Sequence, residues 1–157
     1  MSAAPEPISS LSWRGKADGS LLVRGARVFD PRAGIDGERD VLVRDGRIAE
    51  IAERGTLEAP AGAEVIEAEG LTAFPGFFDP HVHLRTPGQE YKEDIETGSR
   101  AAAAGGFVGI VAMANTSPPV DEPETVAALR ERAEREAAVP TGFTATVTRG
   151  MRGEELT

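Results

Sequence analysis

The second half of this chain alternates apolar runs with helix-forming stretches, and that alternation limits the available folds more than any other feature. LTAFPGFFD (residues 71–79) and FVGIVAMAN (107–115) lack the polar alternation of a half-exposed strand and read as strands buried on both faces. Between them, YKEDIETGSRAAAAGG predicts a helix that begins around Tyr91, Lys92 and Glu93 and stops at Gly105-Gly106. Its Ala101 to Ala104 run has high helix propensity and offers a slim side for close packing. DEPETVAALRERAEREAAV is the clearest helix: Asp121 is the expected N-cap, Glu124 follows at capping-box spacing, and Pro123 fits the first turn. Val126, Leu129 and Ala133 share one face, and the Arg130–Glu136 run forms a solvated one. PTGFTATVTRG then reads as a third strand. Strand–helix–strand–helix–strand with doubly buried strands is the pattern of parallel βα units in an α/β fold.

The first half has a different rhythm. Residues 1–20 are rich in Ala, Ser, Pro and Gly and read as a leader. Residues 21–70 carry short strands separated by turns. LLVRGARVFD is a strand or strand pair ending at Asp30-Pro31, and AEVIEAEG is a further short strand. In RDVLVRDGRIAEI, Asp45-Gly46 sits between two apolar runs, the residue pair that a tight type I′ hairpin favours. Residues 71–157 then hold three strands of the βα series, the last without its helix. A parallel barrel takes roughly 250 residues, so the expectation is a chain that stops partway through a fold.

Composition narrows the partners. The net charge of −9 repels phosphate backbones and argues against nucleic acid. No apolar run approaches the roughly 18 residues needed to cross a bilayer, and MSAAPEPISS lacks the basic and apolar regions of a signal peptide. These features, with the absence of cysteine, fit a cytoplasmic protein without a membrane partner. Any metal must be held by nitrogen and oxygen.

Both histidines of the chain lie in FDPHVHLR, residues 78–85. In a strand, residues two apart point to one face, about 6.6 Å apart at ~3.3 Å per residue, so His81 and His83 can converge on one cation. They come at the end of an apolar run and before Pro87-Gly88, the strand end where parallel α/β folds place their chemistry. Asp79 lies on the same face, suited to accept a hydrogen bond from a ligating histidine or a neighbour. A His-x-His pair alone is more often a surface feature than a metal site, and a catalytic zinc site usually needs three protein ligands. Arg85 shares the parity of the pair, and its planar fork could grip a carboxylate; the competing reading is a solvated loop arginine. Asn115 ends the second apolar strand facing a similar mouth, and its amide suits a polar ring or carboxylate, or simply a turn before Pro118-Pro119.

PGFFDPHVHLRTPGQEYKEDIETGSRAAAAGGFVGIVAMANTSPPVD closely resembles the first barrel segment of dihydroorotases of the amidohydrolase superfamily. The resemblance runs from about Leu21 to Thr157 and covers only the N-terminal portion of such an enzyme. It implies the start of a metal-dependent (β/α)8 barrel, preceded by half of a small β-sandwich that later strands would close. It also implies His81 and His83 as ligands of Zn2+, one or two ions per complete site, and Arg85 and Asn115 as substrate contacts. The implied reaction is reversible hydrolysis of dihydroorotate to N-carbamoyl-L-aspartate in pyrimidine biosynthesis. The remaining ligands and the catalytic aspartate would come from later strands, so this chain alone is expected to be inactive. A homodimer and a complex with aspartate carbamoyltransferase are the protein partners the resemblance brings into view. Thr86 and Ala114 depart from the pattern, which usually has an acidic residue and a proline there. Allantoinases and dihydropyrimidinases share the histidine motif, and a non-catalytic dihydroorotase-like scaffold is the alternative of another class. Retention of His81, His83 and Arg85 argues against the scaffold.

Overall fold

The computed structural model describes residues 11–15 and 19–157 of the chain. Two compact units emerge, Lys16–Pro75 and Gly76–Thr157, the latter taking in residues 11–15. Part of the stretch read as a leader is therefore structured: Ser12 forms an antiparallel bridge with Thr141 and is buried. Residues 1–10 and 16–18 lie outside the described residues.

The first unit is a five-stranded sheet of β1 (Ser20–Asp30), β2 (Ile35–Arg44), β3 (Arg47–Glu53), β4 (Glu64–Glu67) and β5 (Thr72–Ala73). Its order is β3-β2-β1-β4, with β5 also on β1; β2 and β3 run antiparallel to their neighbours, and β4 and β5 pair parallel to β1. LLVRGARVFD is thus part of a single strand rather than a pair. The Asp30 carboxylate accepts the N–H groups of Arg32 and Ala33 and folds the turn into β2. Asp45 and Gly46 both take positive φ, 48° and 71°, as a type I′ hairpin between β2 and β3 requires.

β1 is bulged between Val23 and Ala26. At the bulge Gly25 takes φ 70°, a conformation that L side chains rarely adopt. Its N–H points to Asp40, a fully buried carboxylate on β2. The same carboxylate accepts from Gly55 at 2.8 Å and Leu57 at 3.3 Å, so one side chain ties the bulge to the turn after β3. Burial alone would push the Asp40 pKa up, but the N–H donors of Gly25, Leu57, Gly55 and Thr56 outweigh it and hold the carboxyl below its ordinary value.

The second unit carries a three-stranded parallel sheet of β6 (Phe77–Val82), β7 (Phe107–Ala112) and β8 (Thr141–Phe143), in that order. Helices α1 (Ile95–Ala104) and α2 (Pro123–Glu136) connect them, as the alternation in the sequence predicts. Leu84, Ile95, Ile110, Ala112, Val120, Leu129 and Ala133 form the centre of its core, with Val126 packed against it. Each large aliphatic residue buried there contributes about 1.5–3 kcal/mol.

Several local expectations require correction. The run LTAFPGFFD is not one strand: Thr72–Ala73 joins the first sheet, and a new strand begins at Phe77. Nor is it buried on both faces, because β6 is an edge strand and leaves Phe77 52% and Phe78 47% exposed. α1 starts at Ile95, not near Tyr91, because Asp94 caps it: its carboxylate accepts the Thr97 N–H, and the Thr97 hydroxyl accepts the Asp94 N–H. That N–H from Thr97 is the leading reason the Asp94 carboxyl sits below its usual pKa. Close packing of α1 uses Gly98 and Ser99 rather than the alanine run, whose Ala101, Ala103 and Ala104 are exposed. A Cβ on Gly98 would lie 2.5 Å from the Leu84 side chain. The Ser99 hydroxyl accepts the Ala138 N–H and joins α1 to the turn after α2. The N-cap of α2 is Glu122, with Pro123 at the first helical position. Asp121 turns instead to the Gly150 N–H, at 2.7 Å.

The Asp40 cluster makes a quantitative prediction. Asp40→Ala strands three backbone donors and is expected to lower the stability of the first unit by about 3 kcal/mol, read by urea unfolding. The sign of the pH dependence follows from the depressed folded-state pKa. The unfolded chain binds the proton more readily, so the contribution is complete above about pH 4, the unfolded carboxyl range, and lost as pH falls through the lower folded value. The wild type should therefore lose more stability than Asp40→Ala as pH falls below the unfolded carboxyl range.

Candidate functional site

β6 ends at Val82, and its register with β7 shifts between Asp79 and Val82, where Pro80 cannot donate a ladder hydrogen bond. The Asp79 carboxylate accepts the backbone N–H of His81 at 2.9 Å. It thus shapes the main chain at the strand end rather than orienting an imidazole. The two histidine rings lie edge to face with centroids 5.4 Å apart. Both line a cavity of about 540 Å3 together with Met113, Asn115, Thr144 and Thr148. Both rings thus border one cavity at the carboxyl end of a parallel sheet, with His81 on β6 and His83 just past its last residue.

Asn115 belongs to the same group. Its Oδ1 lies 2.9 Å from His83 Nδ1, a contact across 32 residues of sequence. Two backbone hydrogen bonds hold its neighbours: Met113 N–H donates to the Val82 carbonyl, and Ser117 N–H donates to the Pro87 carbonyl. The 85–90 loop approaches very closely at Gly88, which takes φ 88°. A Cβ there would stand 1.7 Å from the Ser117 carbonyl oxygen.

Arg85 stands apart. It follows the strand end and takes φ 60°, so strand parity does not extend to it, and it does not line the cavity. Its backbone carbonyl accepts the Gln89 N–H and helps close the loop. Thr86 is buried, so an acidic residue there would lose hydration. Ala114 belongs to the hydrophobic core.

Sequence reasoning missed the threonines. Thr144, Thr146 and Thr148 all line the cavity, and the Thr144 hydroxyl donates to the Ala112 carbonyl at 3.1 Å. All three lie past the end of β8 at Phe143, and the whole 144–148 segment lines the cavity, Ala145 and Val147 included, so no strand alternation marked them in the sequence.

Two neutral imidazoles suit zinc and other borderline divalent cations. The described residues contain no group of three or more His, Cys, Asp or Glu placed to hold a metal. His81 and His83 therefore fit part of a ligand set, and the cavity lining adds no carboxylate.

Fold and site together define an α/β protein with paired histidines and a carboxamide at the carboxyl end of a parallel sheet. Among solved structures, L-hydantoinase (dihydropyrimidinase) from Arthrobacter aurescens superposes with a TM-score of 0.72 at 26% identity, over 82% of this chain and 28% of that one. The dihydro-orotase-like family model matches residues 70–157. The chain belongs to that family. It is 47% identical over 137 residues to a dihydroorotase of Citrifermentans bemidjiense and 49% identical over 137 residues to one of Streptococcus pneumoniae. Each alignment covers 87% of this chain and 32% of the relative, so the chain spans about a third of their length.

The packing at Gly88 gives a direct test of how the two loops are held. Gly88→Ala is expected to destabilise the second unit by about 2–4 kcal/mol, combining left-handed strain with a backbone clash. Thermal unfolding should show the loss, and amide shifts should change at Ser117 and Asn115.

Proposed function

We propose that this chain supplies the first part of a metal-dependent cyclic amide hydrolase. The proposed reaction is reversible hydrolysis of dihydroorotate to N-carbamoyl-L-aspartate in pyrimidine biosynthesis, in the cytoplasm. The observation that carries the reading is the meeting of His81, His83 and Asn115 in one cavity, in a chain 47–49% identical to dihydroorotases. Identity to the hydantoinases among the solved structures is lower, 26% for L-hydantoinase and 32% for a D-hydantoinase, which favours the dihydroorotase branch.

In this reading His81 and His83 hold Zn2+, which when bound supplies Lewis acidity to the amide carbonyl of the substrate. Arg85, whose planar guanidinium suits a carboxylate, is the proposed contact for the substrate carboxylate. Asn115 offers a second polar contact to that carboxylate or to the ring. Met113 and Ala114 give the cavity an apolar wall that limits water around the bound ring. The three-stranded sheet is the opening of a (β/α)8 barrel, and the five-stranded sheet is half of a small β-sandwich. Exposed apolar side chains support this architecture: Phe77, Phe78 and Val108 in the second unit, and Ile48, Val65 and Ile66 in the first, offer surface for further strands to cover.

Three measurements test the proposal. Zinc added to the chain should shift the ring resonances of both histidines together, and His81→Ala with His83→Ala should abolish the response. The reading frame that contains this chain should encode two further separated histidines and a later aspartate beyond Thr157. In the protein expressed from that frame, Arg85→Met should lower kcat/KM for dihydroorotate about 10–100-fold, the scale of a charge-assisted hydrogen bond. Full activity in Arg85→Met would remove Arg85 from the site.

A further inference from the structure

We propose that Asn115 is a positioning residue that fixes the tautomer of His83, keeping the proton on Nδ1 so that Nε2 retains the lone pair a divalent cation needs. This rests on the metal reading above and adds a role for Asn115 before any substrate arrives. The carboxamide oxygen can only accept, and it lies 2.9 Å from Nδ1. With Oδ1 rather than Nδ2 as the amide atom facing the ring, the nitrogen opposite it is assigned the N–H, which leaves Nε2 unprotonated in the neutral ring.

The contact is built rather than incidental. Asn115 has Met113 N–H fastened to the Val82 carbonyl on one side and Ser117 N–H fastened to the Pro87 carbonyl on the other. The Ala114 carbonyl just before it accepts from both Thr116 and Val120, which closes the turn and sets the direction in which Asn115 leaves β7. Its own side chain is exposed, so the core does not depend on it. His81 serves as an internal reference, since no hydrogen bond to its ring is seen among the described residues. Groups that orient a ligating imidazole through its second nitrogen commonly change metal affinity by about 10–100-fold.

The test is long-range 1H–15N correlation of the imidazole nitrogens in the metal-free chain, above the histidine titration range. With two histidines, assignment needs only His81→Gln as a control. His83 should show a protonated Nδ1 and an unprotonated Nε2. Asn115→Asp, whose carboxylate also accepts, should preserve that pattern. Asn115→Leu should move His83 toward a mixture of the two neutral tautomers and lower apparent zinc affinity about tenfold or more. A wild-type His83 protonated on Nε2, or an unchanged pattern in Asn115→Leu, would overturn the proposal. Zinc titration of the same samples separates the two readings. If zinc perturbs both rings although His83 carries its proton on Nε2, the ligand reading stands and the positioning role falls. If the tautomer is as stated but zinc perturbs neither ring, the hydrogen bond is upheld and the metal reading fails.

Discussion

The pairing of β6 with β7 at their carboxyl ends is the interaction on which the site depends. Parallel strands have evenly spaced, slanted hydrogen bonds, and the Met113 to Val82 bond carries that pairing just past the last ladder residues. It brings Asn115 beside His83, although the two are separated by a helix and a strand. Beneath them Ile110 and Ala112 are buried against α1 and α2, so the strand ends rest on a packed core. The site is thus a surface feature whose geometry is set by buried backbone.

The sheet of Lys16–Pro75 depends on a different device. A buried carboxylate without hydrogen bonds would be costly, yet Asp40 is surrounded by backbone donors from two segments that lie far apart in sequence. The bulge at Gly25 and the turn at Gly55 both need glycine at positive φ, and both point an N–H at the same side chain. The surface ion pairs of this unit, such as Arg54 with Glu38 and Glu69, are exposed and contribute far less.

Legibility in the sequence followed the range of the interaction. The Asp45-Gly46 hairpin, the stop of α1 at Gly105 and the buried stripe of α2 are local, decided by φ preferences and a period of 3.6 residues. Helix starts were less readable, because several acidic residues competed for each cap. Asp94 won over the segment before it because Thr97 could reciprocate. Asp121 lost its place to Glu122 because the Gly150 N–H claimed its carboxylate. The apolar character of Phe77 and Phe78 was plain, but their exposure was not, since burial of a strand depends on which neighbours it has.

By itself the sequence determined the alternation of strands and helices in the second unit, the adjacency of His81 and His83, and the resemblance to dihydroorotases, because periodicity and short motifs are carried by adjacent residues. Only the tertiary structure decided that Asn115 reaches His83, that Arg85 leaves the strand in a left-handed conformation outside the cavity lining, and that Asp40 anchors a bulge. Those outcomes turn on hydrogen bonds between backbone segments far apart in the chain, and no local pattern of side chains records which distant donor meets which acceptor.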